Sequence, residues 1–344
     1  MKFARLFLFP FSILYTLITA VRNLLFDVGL LKSVTFEKPI IAVGNLSVGG
    51  TGKTPQIEYL IRLLNPNYKV GVLSRGYGRN TKGFILANKS NTAQEIGDEP
   101  LQFFKKFKNI TVAVDEKRVR GIEHLGELKN GPEIVLLDDA FQHRHVKAGF
   151  YVMLTKYDDL FTNDFVLPAG NLRERRVGVK RANVVVVTKC PENISKEDQQ
   201  EISQLIQRYF QGPIFFSTIK YANVLLNKNN EEVSTKALSG YEMLLVTGIA
   251  NPSSLLTYLS DLGCVYTHLN FPDHHQFSEK EIVDLKERFK AIKCSSKLIL
   301  TTEKDFVRLS DSLDNLYYLG IETSIVKGQK EFDGLLTDYV AANL

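Results

Sequence analysis

Cysteine is scarce in this chain: three in 344 residues, at Cys190, Cys264 and Cys294, far apart and never in a C-x-x-C pair. That spacing argues against a disulfide framework and a thiolate zinc site, and it suits a reducing cytosol. Internal repeats and low-complexity tracts are missing as well. Nor is one sign of charge in large excess. Lys and Arg total 43 against 38 for Asp and Glu, a net charge of +5. That is too mild to demand nucleic acid, but it suits anionic small molecules or an anionic membrane surface. The length allows one large or two ordinary domains with substantial cores.

What is present is organised around residues 40–64, IIAVGNLSVGGTGKTPQIEYLIRLL. Ile40 to Val43 reads as a buried strand, and Ile57, Leu60, Ile61 and Leu64 share one helix face. Between them, Gly49-Gly50-Thr51-Gly52-Lys53-Thr54 matches the loop that cradles nucleoside triphosphates, in the strand-to-helix setting which that motif requires. Its glycines let backbone N–H groups turn toward phosphate, Lys53 reaches the outer phosphates, and the Thr54 hydroxyl suits Mg2+. Pro55 falls in the first helical turn, where its missing N–H costs little. The full pattern has glycine five residues before Gly52, and this chain has Ser47.

Signatures that accompany this loop in other nucleotide proteins are absent. Guanine readers carry N/T-K-x-D after a late strand; here Thr188-Lys189-Cys190-Pro191 has proline in place of the aspartate. The switch motif D-x-x-G fails at both Asp138 and Asp139, and Val48 stands where partition ATPases have lysine before the double glycine. A kinase acting on a small or lipid-borne hydroxyl remains. The competing class is a membrane-peripheral ATPase or GTPase switch with a protein partner, which would hydrolyse nucleotide slowly without lipid.

The first 33 residues differ from the rest. Between Arg5 and Arg22 lie sixteen uncharged residues, LFLFPFSILYTLITAV, flanked by Lys2, Arg5, Arg22 and Lys32 against Asp27. As a helix this run spans roughly 24 Å, short of the ~30 Å hydrocarbon core. Ile18-Thr19-Ala20 is a poor signal-peptide cleavage site, and an ATP-using domain would find no ATP outside the cytosol. The bland alternative is an apolar helix packed on its own domain. The favoured reading is a helix lying in the membrane interface, basic flanks on anionic headgroups and apolar face in the acyl region.

Further polar clusters follow apolar strands. After Lys69 to Leu73 comes Ser74-Arg75-Gly76-Tyr77-Gly78-Arg79, where the arginines suit phosphate and the tyrosine suits stacking. Gly97-Asp98-Glu99-Pro100 opens a helix, either as capping residues or with a carboxylate facing the phosphate loop. Ile134 to Leu137 ends in Asp138-Asp139, followed by Gln142, His143 and Arg144, as a metal-side strand would. Leu167 to Glu174 is a Gly/Pro loop closing on Arg173-Glu174. Ile214 to Ile219 and Val224 to Leu226 read as short linking strands, after which a second α/β rhythm carries Phe271-Pro272-Asp273-His274-His275 and Thr302-Glu303-Lys304-Asp305. A histidine beside a carboxylate reads as a tuned acid/base or orienting pair.

Together SVGGTGKT at Ser47, SRGYGR at Ser74, GDEP at Gly97, DDAFQHR at Asp138, PAGNLRE at Pro168, FPDH at Phe271 and TEKD at Thr302 resemble the tetraacyldisaccharide 4'-kinase family, in that family's order over nearly the whole chain. The resemblance implies an α/β protein: a P-loop α/β/α domain (34–217), a two-stranded β linker (218–235) and a smaller C-terminal α/β domain (236–344), behind the membrane-associated helix (1–33). It implies ATP with Mg2+, and transfer of the γ-phosphoryl group to the 4'-hydroxyl of a tetraacylated lipid A disaccharide 1-phosphate. The implied location is the cytoplasmic face of the bacterial inner membrane, peripherally bound, with no nucleic acid and no protein partner. The implied nucleotide site is Ser47, Gly49, Gly50, Thr51, Gly52, Lys53 and Thr54. Asp98 becomes the base, with His274 orienting it and Lys53 completing the catalytic set. Thr54, Asp138, Asp139 and Glu174 are the metal candidates. Arg75, Tyr77, Gly78, Gln142, His143 and Arg173 are the substrate-facing ones.

Overall fold

The computed structural model of the chain describes Arg5 and residues 7–344; Lys2, counted among the basic flanks, lies outside the described residues. Seven strands form the first half: β1 (Ile40–Asn45), β2 (Val70–Ser74), β3 (Ile85–Leu86), β4 (Thr111–Val114), β5 (Ile134–Asp138), β6 (Phe150–Lys156) and β7 (Val184–Thr188). Then come β8 (Ile214–Leu226), β9 (Glu232–Ser234), β10 (Glu242–Thr247), β11 (Val265–Asn270), β12 (Lys297–Thr302) and β13 (Leu316–Ile325). All belong to one sheet of order β11-β10-β12-β13-β8-β7-β6-β1-β5-β2-β4-β3, with β9 paired to β8. The strands from β2 to β7 around β1 are buried on both faces. Their apolar runs, four consecutive valines in β7 among them, therefore read as continuous rather than alternating.

Two α/β units share this sheet through one long strand. The expected short strands at 214–219 and 224–226 are a single strand, β8. Ile214 to Phe216 of β8 pairs parallel with β7, while Ser217 to Leu226 pairs antiparallel with β13. Residues 236–344 do not pack as one unit either. After β13 the helix Gln329–Ala341 returns, and its Phe332, Leu336 and Val340 are fully buried in the same core as Ile57, Leu60, Ile61 and Leu64 of the phosphate-loop helix. Phe215 on β8 meets Phe332 edge-on at 5.0 Å, which sets where the returning helix docks.

The N-terminal helix runs Phe9–Asp27, and only Ser12 and Phe26 on it are buried. Phe7, Phe11, Ile13, Leu14, Leu17, Ile18 and Leu24 are exposed, so the helix is not packed by its apolar face on its own domain. Its polar side is the docked one. Arg5 bonds to Pro168 O (3.0 Å), Asn171 Oδ1 (2.9 Å) and Gly170 O, and Arg22 donates to Gln142 O at 3.2 Å. Arg5 and Arg22, expected to face lipid headgroups, are thus spent on backbone carbonyls and an amide of the protein body.

Removing the Phe332 ring leaves a cavity in the phosphate-loop core. Phe332→Ala is expected to cost about 3–5 kcal/mol of stability, read as a lowered urea midpoint for the whole chain; a change under about 1 kcal/mol would show the last helix to be loosely docked.

Candidate active site

Open α/β sheets place ligands beyond the carboxyl ends of their strands, and in this chain the predicted motifs collect there. β1 ends at Asn45 and runs into the phosphate loop. There Gly49 and Gly52 hold φ of +109° and +84°, which only glycine adopts without strain, and Gly52 caps the helix Lys53–Leu64. The loop is held from both sides. Asn45 Nδ2 donates to Ser47 O (2.6 Å), Val48 N to Asn171 O (2.8 Å), and Arg173 N to Leu46 O (2.7 Å). Ser47 is buried, and its backbone forms a bridge to Leu172 in the loop wall. The Thr51 hydroxyl is buried without a partner among the described residues.

Beside the loop, β5 ends in the paired aspartates. Lys53 Nζ lies 3.6 Å from Asp139 Oδ1 and 3.4 Å from Asn45 Oδ1, and Arg173 Nη1 donates to both Asp139 oxygens at 2.9 and 3.1 Å. Burial pushes the Asp139 carboxyl up, but Lys53 and Arg173 outweigh it and hold the group below the usual carboxylate range. Asp138 is different. Burial, then the Asp139 and Glu99 charges, raise it to about 6, against the pull of Lys53 and of the Ser74 hydroxyl at 3.1 Å. A carboxylate held this way is short of positive charge.

Gly97 and Gly76 explain how the GDEP and SRGYGR segments come together. A Cβ on Gly97 would stand 3.2 Å from both Gly76 Cα and Tyr77 O, so the two turns touch backbone to backbone. That contact sets the start of the helix Asp98–Lys106, where Glu99 feels Asp138 and Asp98 is buried. Asp98 faces the second unit: His274 Nδ1 lies 2.9 Å from Oδ2, Arg308 Nε donates to Oδ1 at 2.8 Å, and Arg308 Nη2 also reaches Oδ2. Burial raises the Asp98 carboxyl, but His274 and Arg308 outweigh it and the net shift is downward. Lys304 Nζ sits 2.9 Å from His274 Nε2. An ammonium only donates, so Nε2 accepts and the ring proton is on Nδ1, aimed at Asp98. The 3.2 Å approach of Arg308 Nη2 to Nδ1 then sets two donors face to face and is not a hydrogen bond.

The TEKD segment supplies the frame for this cluster. Thr302 caps the helix Glu303–Leu309, and Asp305, fully buried, accepts from Gly248 N at 2.9 Å and Thr302 Oγ1 at 2.8 Å. Gly248 O in turn takes His274 N, whose φ of +60° is left-handed. Tyr77, mostly exposed, lies 5.6 Å from the His274 ring centre, and Arg75 and Gly78 are exposed beside it.

Several expected residues take other places. Glu174, grouped with the metal candidates, points inward. Its oxygens are spent on Asn23 Nδ2 (2.7 Å), Arg181 Nη2 (2.7 Å) and Gln142 Nε2 (3.1 Å), so it braces the wall instead of offering a lone pair to the cleft. Gln142 is a bracket between Glu174 and Asn45 O (2.8 Å). His143 accepts from Arg118 N at 3.4 Å, and burial followed by Arg118 lowers it to about 4, so it stays neutral. Arg79, read as phosphate-facing, is buried against Glu116 at 2.7 Å. Arg308, Lys304 and Glu99 were missed. The available signal for Arg308 was its place three residues after Asp305, on the same helix face.

The pattern of the tetraacyldisaccharide-1-P 4'-kinase family matches residues 4–341. Similar relatives include the tetraacyldisaccharide 4'-kinase of Flavobacterium psychrophilum, 53% identical over 355 residues that cover 100% of this chain and 99% of that protein. Another is that of Bacteroides thetaiotaomicron, 46% identical, covering 98% and 93%. The fold is similar to the crystal structure of LpxK from Aquifex aeolicus in complex with ATP, at a TM-score of 0.78 and 31% identity, covering 98% of this chain and 99% of that one. With the match running from one end of the described fold to the other, the chain belongs to the tetraacyldisaccharide-1-P 4'-kinase family.

Proposed function

We propose that this chain transfers the γ-phosphoryl group of ATP to the 4'-hydroxyl of a tetraacylated lipid A disaccharide 1-phosphate. The observation that carries the reading is the meeting of Asp98 and His274 from two different units, at a helix start whose next residue, Glu99, adjoins Asp138 beside the phosphate loop. A switch protein has no use for such a pair; a kinase needs a proton acceptor between its nucleotide and its acceptor.

The acceptor oxygen attacks the γ-phosphorus, the bond to the ADP oxygen breaks, and the hydroxyl proton passes to Asp98. A hydroxyl ionises little at neutral pH, so the proton moves late and a weak base suffices. Positioning and charge neutralisation supply most of the rate: the loop N–H groups and Lys53 hold the phosphates, and His274, fixed in one tautomer by Lys304, keeps Asp98 oriented. Arg75, Tyr77 and Gly78 line the approach for the sugar phosphate. Among the described residues no three metal-ligating side chains cluster. That suits Mg2+, which takes one or two carboxylates plus substrate phosphates and waters. Asp138 and Thr54, with Asp139, are the groups to hold it, and when bound it neutralises charge developing on the transferred phosphate.

The working division of the chain is the phosphate-loop unit with its returning helix, and the unit from 236 to about 325 that carries His274 and Arg308. The exposed apolar side of Phe9–Asp27 supports peripheral attachment to the cytoplasmic face of the inner membrane, where a four-chain lipid stays.

Labelled ATP and the disaccharide lipid supply the direct test: label is expected on the lipid, stoichiometric with ADP, and lipid-independent hydrolysis would favour the switch instead. Asp98→Asn is expected to lower turnover by about 10²-fold or more with ATP affinity within a few-fold; equal loss of both would assign Asp98 to the nucleotide site. Because Asp138 is raised to about 6, a divalent ion must displace its proton at low pH. Mg2+–nucleotide affinity is expected to fall as pH drops through 6, with proton release on binding at pH 6 and little at pH 8. Calorimetry in two buffers of different ionisation heat measures this, and Asp138→Asn should abolish the release.

A further inference from the structure

The strand end that fails as a guanine reader sits against the phosphate loop. Thr188, the last residue of β7, is buried, and its hydroxyl donates to Thr51 O at 2.8 Å. A Cβ on Gly52 would stand 3.8 Å from Thr188 Cβ, so β7 and the loop are in van der Waals contact. The next residue, Lys189, turns into the left-handed region at φ +58°, a conformation rarely adopted by a side chain of its size. Its backbone is held by neighbours on both sides: Tyr157 N donates to Thr188 O at 3.0 Å, and Cys190 N to Ser217 O at 2.9 Å. The residue as a whole is exposed, but its ammonium is partly desolvated against the loop, which lowers its pKa, and Nζ lies 3.9 Å from the point where a Cβ on Gly50 would sit.

Two cations therefore flank the loop. Lys53 lies on the β5 side, where Asp139 balances it. Lys189 lies on the β7 side; in the sheet order β7-β6-β1-β5 the two approach β1 from opposite directions. No ion pair to Lys189 exists among the described residues, and the Asp158 carboxylate is already paired with Lys156 at 2.9 Å. An ammonium held against the glycine loop, beside a helix N-terminus and with no ion pair among the described residues beyond the more distant pull of Asp158, favours an anion at this spot.

We propose that Lys189 is a nucleotide-binding residue, its ammonium contacting phosphate oxygens of the nucleoside di- or triphosphate over Gly50, on the flank opposite Lys53. The proposal rests on the reading of residues 47–54 as the ATP site. Because the contact is made to phosphates seated in the middle of the loop, it contributes alike to ATP and ADP. It holds the ground state and the transition state equally, so it lowers KM without raising kcat.

The test uses the unaltered full chain. An amine-acylating reagent is applied with and without ATP, and the labelling of Lys53 and Lys189 is followed by mass spectrometry. Protection of both lysines is the expected result. Protection of Lys53 alone overturns this proposal and leaves the phosphate-loop reading intact, whereas protection of neither overturns that reading as well. In Lys189→Met, ADP and ATP dissociation constants and KM for ATP are expected to rise about tenfold, the worth of one charge-assisted hydrogen bond. Turnover at saturating ATP and KM for the lipid should stay within about twofold, and Lys189→Arg should recover most of the affinity. Unchanged ADP binding in a folded Lys189→Met overturns the assignment.

Discussion

The Asp98 carboxylate is the point on which both units converge. It sits buried at the first turn of a helix in the phosphate-loop unit, yet the guanidinium that neutralises it, Arg308, and the imidazole that donates to it, His274, come from the other unit. Removing one partner of such a buried pair leaves a bare charge and typically costs about 3–5 kcal/mol, so the relative placement of the units is written into this contact. The far end of the same helix is tied in the same way. Lys106 reaches Glu303 of the second unit at 2.6 Å and Glu58 of the phosphate-loop helix at 2.7 Å, while Gln102 donates to Glu58 at 2.9 Å. Burial and then Glu58 push Glu303 up to about 7, since two carboxylates share one ammonium. The helix carrying the proposed base is thereby tied to the second unit at both ends and to the nucleotide helix at its far end.

What was legible in the sequence was whatever depends on neighbours in the chain. The phosphate loop and the paired aspartates at a strand end are local patterns. The glycines of SRGYGR and GDEP owe their place to a non-local contact, since Gly76 and Gly97 touch across 21 positions of chain. No pattern in either segment announces that. The same limit hid Arg308 and Lys304. TEKD drew attention as a motif, but Asp305 turns out to build the frame, and the residues that touch Asp98 and His274 lie on the helix around it.

Other differences arise where the chain crosses between units. Lys220, Tyr221 and Asn223, which interrupt the apolar pattern between the two expected strands, lie on the part of β8 that pairs with β13, where Lys220 and Asn223 are exposed and Tyr221 packs on the second unit's core. Both halves therefore belong to one strand. The last helix falls inside the C-terminal domain, 236–344, that the resemblance implies. Only its buried face, Phe332, Leu336 and Val340, decides that it covers the first core.

Glu174 shows why a carboxylate in a recognised motif need not reach the chemistry. An acid buried to 3% exposure requires donors, and Asn23, Arg181 and Gln142 provide them from three segments of the chain. Asn23 belongs to the N-terminal helix, and Gln142 accepts from Arg173, which holds Asp139, at 3.4 Å. A chain of hydrogen bonds thus runs from the polar side of that helix, through Glu174 and Gln142, to the carboxylate paired with Lys53. The helix has its apolar side outward and its polar side built into the wall of the cleft. Whatever surface receives the apolar side is consequently held at a fixed angle to the phosphate loop, the arrangement a membrane-borne acceptor requires.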